Sequence, residues 1–252
     1  MMPSVSPHRR RGPIARVLAT CHAAVGLLLV TAPASHGQPL SDLLQGVAAN
    51  ARFEHAARAD VRIACGEGCT ASDRPAILVG RGDALYVEVK DGQRALVRPG
   101  HIMVAREGKA VEAPTGEPFA GTEVLLEDLA VFTPRSLRVP QISDDGPAGV
   151  VVTSAPAGPS AYALLVHTID RDRRAIVRTL YYRDLINNLT KTRRNDAWVQ
   201  AAGGWRPGEI VIESMRQATT TRLTLAWHDA PDAAPDLFEP AGLEHPSALR
   251  WP

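Results

Sequence analysis

The sequence predicts a mainly β protein with a few short helices, an α+β fold, and three observations support this prediction. Short segments of alternating apolar and polar residues recur between positions 58 and 227. Turn pairs such as Asp91-Gly92 separate them, and Asp-Gly between alternating runs is a strong hairpin signal. Only two stretches have helical spacing of apolar residues. The 252 residues, 45% of them hydrophobic, suffice for one domain with a core.

Residues 1–37 have the three-part pattern of a secretory signal peptide. A basic start with Arg9-Arg10-Arg11 precedes a mostly apolar run over about residues 17–30, and small residues follow. The apolar run is shorter than the roughly 20 residues that span a bilayer, which favours cleavage, after Ala34 or Gly37, over an uncleaved anchor. We therefore expect a single domain over residues 38–245 and a frayed end over 246–252.

The charge balance argues against a nucleic-acid partner. Four of the 28 basic residues lie in the predicted signal peptide, which leaves 24 basic residues against 27 acidic ones. The remaining chain has no basic block with which to contact phosphates.

Two amphipathic helices are predicted beside the sheet. Ser41 is a candidate N-cap for a helix over residues 41–51, and Thr122 for a short helix that Pro134 ends. Such helices often pack on a sheet, but they could also cover an opening. The candidate lid residues are Leu43, Leu44, Val47, Leu125, Leu126 and Leu129.

The strands follow from alternation between the turn signals. In chain order they are predicted over residues 58–63, 76–81, 85–90, 93–98, 102–105, 109–113, 137–142, 150–153, 162–169, 175–182, 189–193, 197–201, 209–216 and 220–227. Asp144-Asp145-Gly146-Pro147 reads as a turn, and 209–216 with 220–227 reads as a hairpin.

Cys65 and Cys69 are separated by Gly-Glu-Gly and are expected to form a disulfide in an exported chain. A thiolate metal site would need further ligands, and a redox pair is usually one residue closer. We predict neither a metal site nor a cofactor.

No catalytic motif supports an enzyme. The sequence lacks a Gly-x-Ser-x-Gly elbow, a His-Glu-x-x-His helix, a P-loop and a Gly-x-Gly-x-x-Gly stretch. His167 falls within a predicted strand and His228 at the end of another, where a hydrogen-bonded histidine on a sheet face is the usual finding. Carboxylates could still meet across the sheet, as in glycosidases, and the sequence leaves this alternative open. Catalysis is nevertheless not the prediction.

The last predicted strand has two different faces. Leu223, Leu225 and Trp227 share one face, and polar residues occupy most of the other. The apolar face is either a cavity wall or ordinary core, and alternation alone does not distinguish them.

Several short blocks occur in a recognisable order. They are Gly121-Thr122-Glu123, Glu127-Asp128-Leu129, Leu180-Tyr181-Tyr182-Arg183-Asp184, Leu189-Thr190-Lys191, Gly204-Trp205-Arg206-Pro207, residues 210–215, residues 221–227 and Asp236-Leu237-Phe238. In this order they resemble the outer-membrane lipoprotein-sorting family, the LolA-like periplasmic carriers. The resemblance covers about residues 41–243 and is stronger after Gly121.

The resemblance implies an unclosed antiparallel β-barrel, a strongly curved sheet whose concave apolar face is covered by helices. It also implies a monomeric carrier of lipid or lipoprotein acyl chains in the periplasm of a Gram-negative bacterium, with an inner-membrane transporter as donor and an outer-membrane acceptor. The alternative is a cell-envelope module that uses the sheet as a scaffold for a protein partner. The candidate cavity residues are Val61, Ile63, Leu85, Val87, Ile210, Ile212, Leu223, Leu225 and Trp227.

Overall fold

Thirteen antiparallel strands form one sheet in the computed structural model, which describes residues 39–66, 74–184, 188–245, 247, 249 and 251. One α-helix, α1 (Leu40–Ala51), precedes the sheet. The strands are β1 (Phe53–Cys65), β2 (Pro75–Gly82), β3 (Ala84–Val89), β4 (Arg94–Arg98), β5 (His101–Arg106), β6 (Lys109–Glu112), β7 (Leu137–Gly146), β8 (Gly149–Pro156), β9 (Leu164–Asp170), β10 (Ala175–Tyr182), β11 (Leu189–Asp196), β12 (Val199–Ala201), β13 (Gly204–Arg206), β14 (Glu209–Ser214) and β15 (Thr219–Asp229). β12 and β13 form a separate two-stranded hairpin outside the large sheet.

The strand order is β6-β5-β4-β3-β2-β1-β15-β14-β11-β10-β9-β8-β7. The two outer strands do not pair with each other, so the sheet is open and the predicted unclosed antiparallel architecture is confirmed. The sheet consists of two meanders, β1–β6 and β7–β15, that meet where β1 pairs with β15 between Ala57↔Asp229 and Cys65↔Thr221. The predicted hairpin of β14 and β15 is confirmed by their pairing.

The first predicted helix is present, but its predicted cap is wrong. Ser41 lies inside α1, which follows Pro39, and its hydroxyl contacts the Asp42 carboxylate at 3.3 Å instead of capping the backbone. The apolar stripe is as expected, since Leu43, Leu44 and Val47 are buried.

The second predicted helix is wrong. The Thr122 hydroxyl donates to the Phe119 carbonyl at 2.8 Å and accepts the Val124 N–H at 3.1 Å, which closes a tight turn. An isolated bridge between Pro118 and Leu125 follows from it, and only a 3-10 helix at Leu126–Leu129 remains. These local bonds satisfy backbone groups that a helix would need. Pro134, the predicted helix end, begins a second 3-10 helix, Pro134–Ser136.

Several strand boundaries differ from the prediction: β1 begins five residues earlier, at Phe53, β11 ends three residues later, at Asp196, and β13 was not predicted. β7 continues through Asp144 and Asp145 to Gly146, where a turn was expected. These carboxylates lie on an edge strand and are exposed, where charged side chains are tolerated. β12 begins at Val199, two residues after the predicted start.

The two faces of the sheet are covered by different segments. On the face that we call the inner face, β1, β3, β14 and β15 pack against Phe119, Val124 and Leu126 from residues 118–131, which we call the covering segment. On the outer face, Val79, Tyr86 and Leu96 pack against the C-terminal 3-10 helices Pro235–Phe238 and Pro240–Leu243.

The C-terminal end contacts the outer face beyond residue 245. Ser247 donates to the Glu88 carboxylate, and Leu249 packs against the outer cluster. The expected fraying therefore does not describe these two residues.

Two sequence predictions involve residues outside the described part. These are the signal peptide over residues 1–37 and Cys69 as the disulfide partner of Cys65. The disulfide stays a prediction. Within the described ranges, no helix has the length and apolar character needed to traverse a bilayer.

Candidate functional site

A cavity of about 560 Å³ lies between the inner face, the C-terminal half of α1 and the covering segment. Its volume is within the range of small-molecule sites in proteins, roughly 300–1,000 Å³. Much of its wall is apolar, and the larger apolar side chains that line it are Val47, Phe53, Leu78, Leu85, Ile102, Leu129, Val131, Phe132, Leu137, Leu165, Ile176, Trp198, Trp205, Ile210, Leu225 and Trp227.

Four of the nine predicted cavity residues line this cavity: Leu85, Ile210, Leu225 and Trp227. The other five belong to the closed core of the inner face because the covering segment fills the space beside them. These core residues are Val61, Ile63, Val87, Ile212 and Leu223.

Two of the six predicted lid residues line the cavity, Val47 from α1 and Leu129 from the covering segment. Leu43 and Leu44 instead pack against β7, β8 and β9. Leu126 is part of the inner core, and Leu125 is only half-buried. Whether any of these residues contacts a ligand stays a prediction.

One end of the cavity is polar, a feature that the sequence analysis missed. Alternate positions of β11 direct Lys191, Arg193 and Asn195 to the inner face. The sequence does place these three residues at alternate positions, Lys191 and Arg193 within one predicted strand and Asn195 two residues further, so that they share one face. The pairing Thr179↔Arg193, which places that face inside, becomes visible only in the sheet.

Asp128 of the covering segment forms a buried ion pair with this strand. The Lys191 Nζ donates to the Asp128 Oδ2 at 2.8 Å and to the Tyr162 hydroxyl at 2.8 Å, and that hydroxyl donates to the Asp128 Oδ1 at 2.6 Å. The Leu125 N–H donates to the same Oδ2 at 2.8 Å. Burial, reinforced by the Asp128 charge, raises the pKa of Tyr162 well above its usual value. The phenol therefore stays protonated and serves as a donor.

The aromatic rings beside this ion pair add a second contact. Tyr162 and Tyr181 are 4.5 Å apart between centroids, and the Lys191 Nζ lies 5.4 Å and 5.8 Å from those two rings. Ammonium groups at such distances are attracted by aromatic rings. The covering segment is thus attached to β10 and β11 through one compact group of side chains.

His167, Thr179 and Arg193 form a row across three adjacent strands. The His167 Nδ1 lies 3.0 Å from the Thr179 hydroxyl, whereas its buried Nε2 has no hydrogen-bond partner within the described residues. Burial, and secondarily the Arg193 charge, lowers the pKa of His167 to about 4. The imidazole that lines the cavity is therefore neutral at neutral pH and has one unused polar atom.

The Arg193 guanidinium has no carboxylate partner within 4 Å among the described side chains. Its Nε donates to the Asn195 side-chain oxygen at 2.8 Å, and its terminal nitrogen donates to the Asp128 carbonyl. A positive charge therefore lines the cavity next to neutral hydrogen-bonding groups.

Glu127 links the covering segment to the loop before β9. Its carboxylate accepts the Ser160 hydroxyl at 2.6 Å and the Ala161 N–H at 3.1 Å. Burial raises the pKa of Glu127, and these hydrogen bonds oppose the rise. Both carboxylate oxygens are thus engaged by protein donors.

The hairpin of β12 and β13 closes the helix end of the cavity. The Arg206 guanidinium donates to the Asn50 carbonyl at 2.5 Å and to the Arg52 carbonyl at 2.7 Å, which satisfies the C-terminal carbonyls of α1. It also lies 4.3 Å from the centre of the Phe53 ring. Burial lowers the pKa of Arg206 to about 10, so it remains charged at neutral pH.

No group of three or more His, Cys, Asp or Glu side chains in the described ranges is arranged to hold a metal ion. The cavity wall combines apolar side chains with charged and hydrogen-bonding groups, and Arg193 and His167 lie in one row of side chains among the latter.

Comparison with solved structures identifies the architecture. A putative outer membrane lipoprotein-sorting protein domain from Vibrio parahaemolyticus superposes with a TM-score of 0.68 at 16% identity, over 81% of this chain and 97% of the other. A LolA superfamily protein from Nitrosomonas europaea superposes with a TM-score of 0.60 at 16% identity, over 76% and 94%. The chain has a LolA-like fold.

The same LolA-like architecture extends to a DUF1329 family protein from Desulfovibrio piger, with a TM-score of 0.64 at 13% identity over 82% of this chain and 99% of the other. Neither a protein-family model nor a curated protein matches the sequence. The likeness is therefore one of fold, and it agrees with the resemblance carried by the short sequence blocks.

Proposed function

We propose that this protein is a non-enzymatic carrier that binds acyl chains of lipids or lipoproteins in its cavity. The observation that supports the proposal is the 560 Å³ cavity on the inner face of a LolA-like sheet. The same fold occurs in a protein described as a lipoprotein-sorting domain. A scaffold module, the alternative from the sequence, would not need an internal space of this size.

The physical driving force is the transfer of an apolar chain out of water. Each methylene that enters the cavity gains about 0.8 kcal/mol, so a long chain is held firmly even after the cost of association is subtracted. Release requires a competing apolar site or an opening of the covering segment, and a partner can drive that opening only if it binds the open state more tightly than the closed one.

The proposed location follows from the first 37 residues. A signal peptide would deliver the carrier to the periplasm, where acyl chains need protection from water. An inner-membrane transporter as donor and an outer-membrane acceptor complete the proposed route.

Native mass spectrometry and displacement of a fluorescent fatty acid test the proposal directly. The purified protein should retain lipid and should bind one molecule of the fluorescent probe per protein molecule. Absence of both retained lipid and probe binding would refute the carrier function.

Variants of β15 test whether the cavity is the binding site. Leu225→Asp places a charge in the apolar wall and should abolish probe binding, whereas Thr224→Asp on the exposed face should bind normally. Leu225→Trp tests the same point without a charge, since the larger ring occupies cavity space. Thermal unfolding verifies that each variant is folded, and normal binding by both Leu225 variants would place the site elsewhere.

A further inference from the structure

The cavity has two chemically different ends, and this difference specifies the ligand further. We propose that it takes a single-chain amphiphile with an anionic head, a carboxylate or a phosphate, and that Arg193 and His167 bind this head. The proposal rests on the proposed carrier function and adds the class of ligand.

The positive end of the cavity is built into the sheet. Pairing of β9, β10 and β11 places His167, Thr179 and Arg193 in one row on the inner face. His167 is 7% exposed, lines the cavity and has an unpartnered Nε2. In the tautomer in which the Thr179 hydroxyl donates to Nδ1, the Nε2 carries the hydrogen and can donate to a head-group oxygen.

The nearby carboxylates are already engaged. The Asp128 oxygens accept Lys191, Tyr162 and the Leu125 N–H, and the Glu127 oxygens accept Ser160 and the Ala161 N–H. Lys191 and Asp128 neutralise each other. Arg193 is the cation of this group without an ion-pair partner in the described chain, and a guanidinium binds carboxylate and phosphate with paired hydrogen bonds.

The volume of the cavity matches that of one acyl chain. If each non-hydrogen atom of a ligand takes about the 30 Å³ that a water molecule takes in the liquid, 560 Å³ holds roughly 18 atoms. This is the size of one long acyl chain with its head group. Leu78, Leu85 and Ile102 of β2, β3 and β5 line the cavity across the sheet from the polar end. Arg98 also lines that side, and its guanidinium lies 3.7 Å from the Glu239 carboxylate.

Ligands of equal chain length and different heads test the proposal. Dodecanoate, dodecyl phosphate and dodecanol are compared in competition with a neutral fluorescent chain. The wild-type protein should bind at least one anionic compound about tenfold or more tightly than dodecanol, as expected for hydrogen bonds to a charged group. A preference for dodecyl phosphate indicates a phospholipid source, and a preference for dodecanoate indicates a fatty acid.

Matched variants assign the preference to residues. Arg193→Gln should lower the affinity for the anionic compounds about tenfold to a hundredfold and leave the affinity for dodecanol unchanged. Arg194→Gln, the exposed neighbour on β11, and Arg135→Gln, an exposed cation that also lines the cavity, should retain the preference. His167→Phe, which keeps an apolar ring in place, should reduce the preference in part and serves as the second variant if Arg193→Gln does not fold.

The outcomes separate the two levels of the proposal. Equal affinity for all three compounds, or a preference that survives Arg193→Gln, overturns the head-group assignment but leaves the carrier function standing. Loss of the preference in Arg135→Gln instead would place the head group at Arg135 and also overturns the assignment. Failure to bind any dodecyl compound, dodecanol included, removes the carrier function and this inference with it.

Discussion

Replacement of Lys191 by methionine tests how the covering segment is attached to the sheet. The side chains of Lys191 and Asp128 are 6% and 0% exposed, so the variant leaves a carboxylate buried without its counter-ion. Removal of one partner of a buried pair typically costs about 3–5 kcal/mol because the remaining charge cannot reach water. The Tyr162 and Leu125 donors remain, and we therefore expect the lower end of that range.

The assay is equilibrium unfolding in urea, followed by tryptophan fluorescence. For a domain of this size the loss corresponds to a decrease in Tm of roughly 10 °C. Arg194→Met is the matched control, since this residue forms an exposed pair with Asp196 on the same strand. Its expected cost is within the roughly 0.5 kcal/mol typical of exposed ion pairs.

A double variant isolates the ion pair itself. Lys191→Met combined with Asp128→Asn removes both charges, and its cost should fall short of the sum of the single costs by about 1.5–3 kcal/mol. Hydrogen exchange should at the same time show faster exchange at Leu125 and Leu126 in the Lys191→Met variant. Additive costs, or a Lys191→Met cost no larger than that of Arg194→Met, would refute the reasoning.

Two further predictions concern stability. Because burial lowers the pKa of His167 to about 4, the unfolded chain binds a proton that the folded chain does not between about pH 6.5 and pH 4. The free energy of unfolding should therefore decrease as the pH falls, by about 2 kcal/mol between pH 7.5 and pH 5. In denaturant unfolding, His167→Gln should not show this decrease in the free energy of unfolding. An identical pH dependence in variant and wild type would contradict the prediction. In Gly80→Ala the new Cβ would lie 2.3 Å from the Phe53 ring, which also contacts Arg206 and Trp227. We expect this overpacking to lower the free energy of unfolding by roughly 1–3 kcal/mol. The control Gly158→Ala has open space around the new Cβ and should lose no stability. An unchanged thermal stability of Gly80→Ala would show that Phe53 can move away without cost.

The sequence was sufficient for features set by local patterns. The turn at Asp91-Gly92 and the alternation of Leu223, Leu225 and Trp227 depend on neighbours in the chain, and β3, β4 and β15 occur where those patterns predict them. Pairing between distant strands then determines which apolar positions line a cavity. Val61 and Leu225 are direct partners in β1 and β15, yet only Leu225 lines the cavity.

The polar end of the cavity could not be predicted from local patterns. Alternate charged residues on a strand usually indicate a solvated face, and Lys191 and Arg193 fit that description in the sequence. Lys191 points inward because a carboxylate from the covering segment, 63 positions away, compensates it, and Arg193, two residues further along β11, shares that face. The prediction of the second helix was wrong because hydrogen bonds between near neighbours prevailed. The Thr122 side chain bonds backbone groups two and three residues away and so forms a tight turn in place of a helix.

The pairing of β1 with β15 has a consequence for the order of folding. The two meanders are joined by a ladder between residues 57–65 and 221–229, and α1 is held by Arg206. Each meander can form as its own strands become available, but the centre of the sheet closes only after nearly the whole chain is present. Contacts this distant in sequence slow folding. Until then one edge of β1 has unpaired backbone groups, which makes the incomplete chain prone to association with other chains.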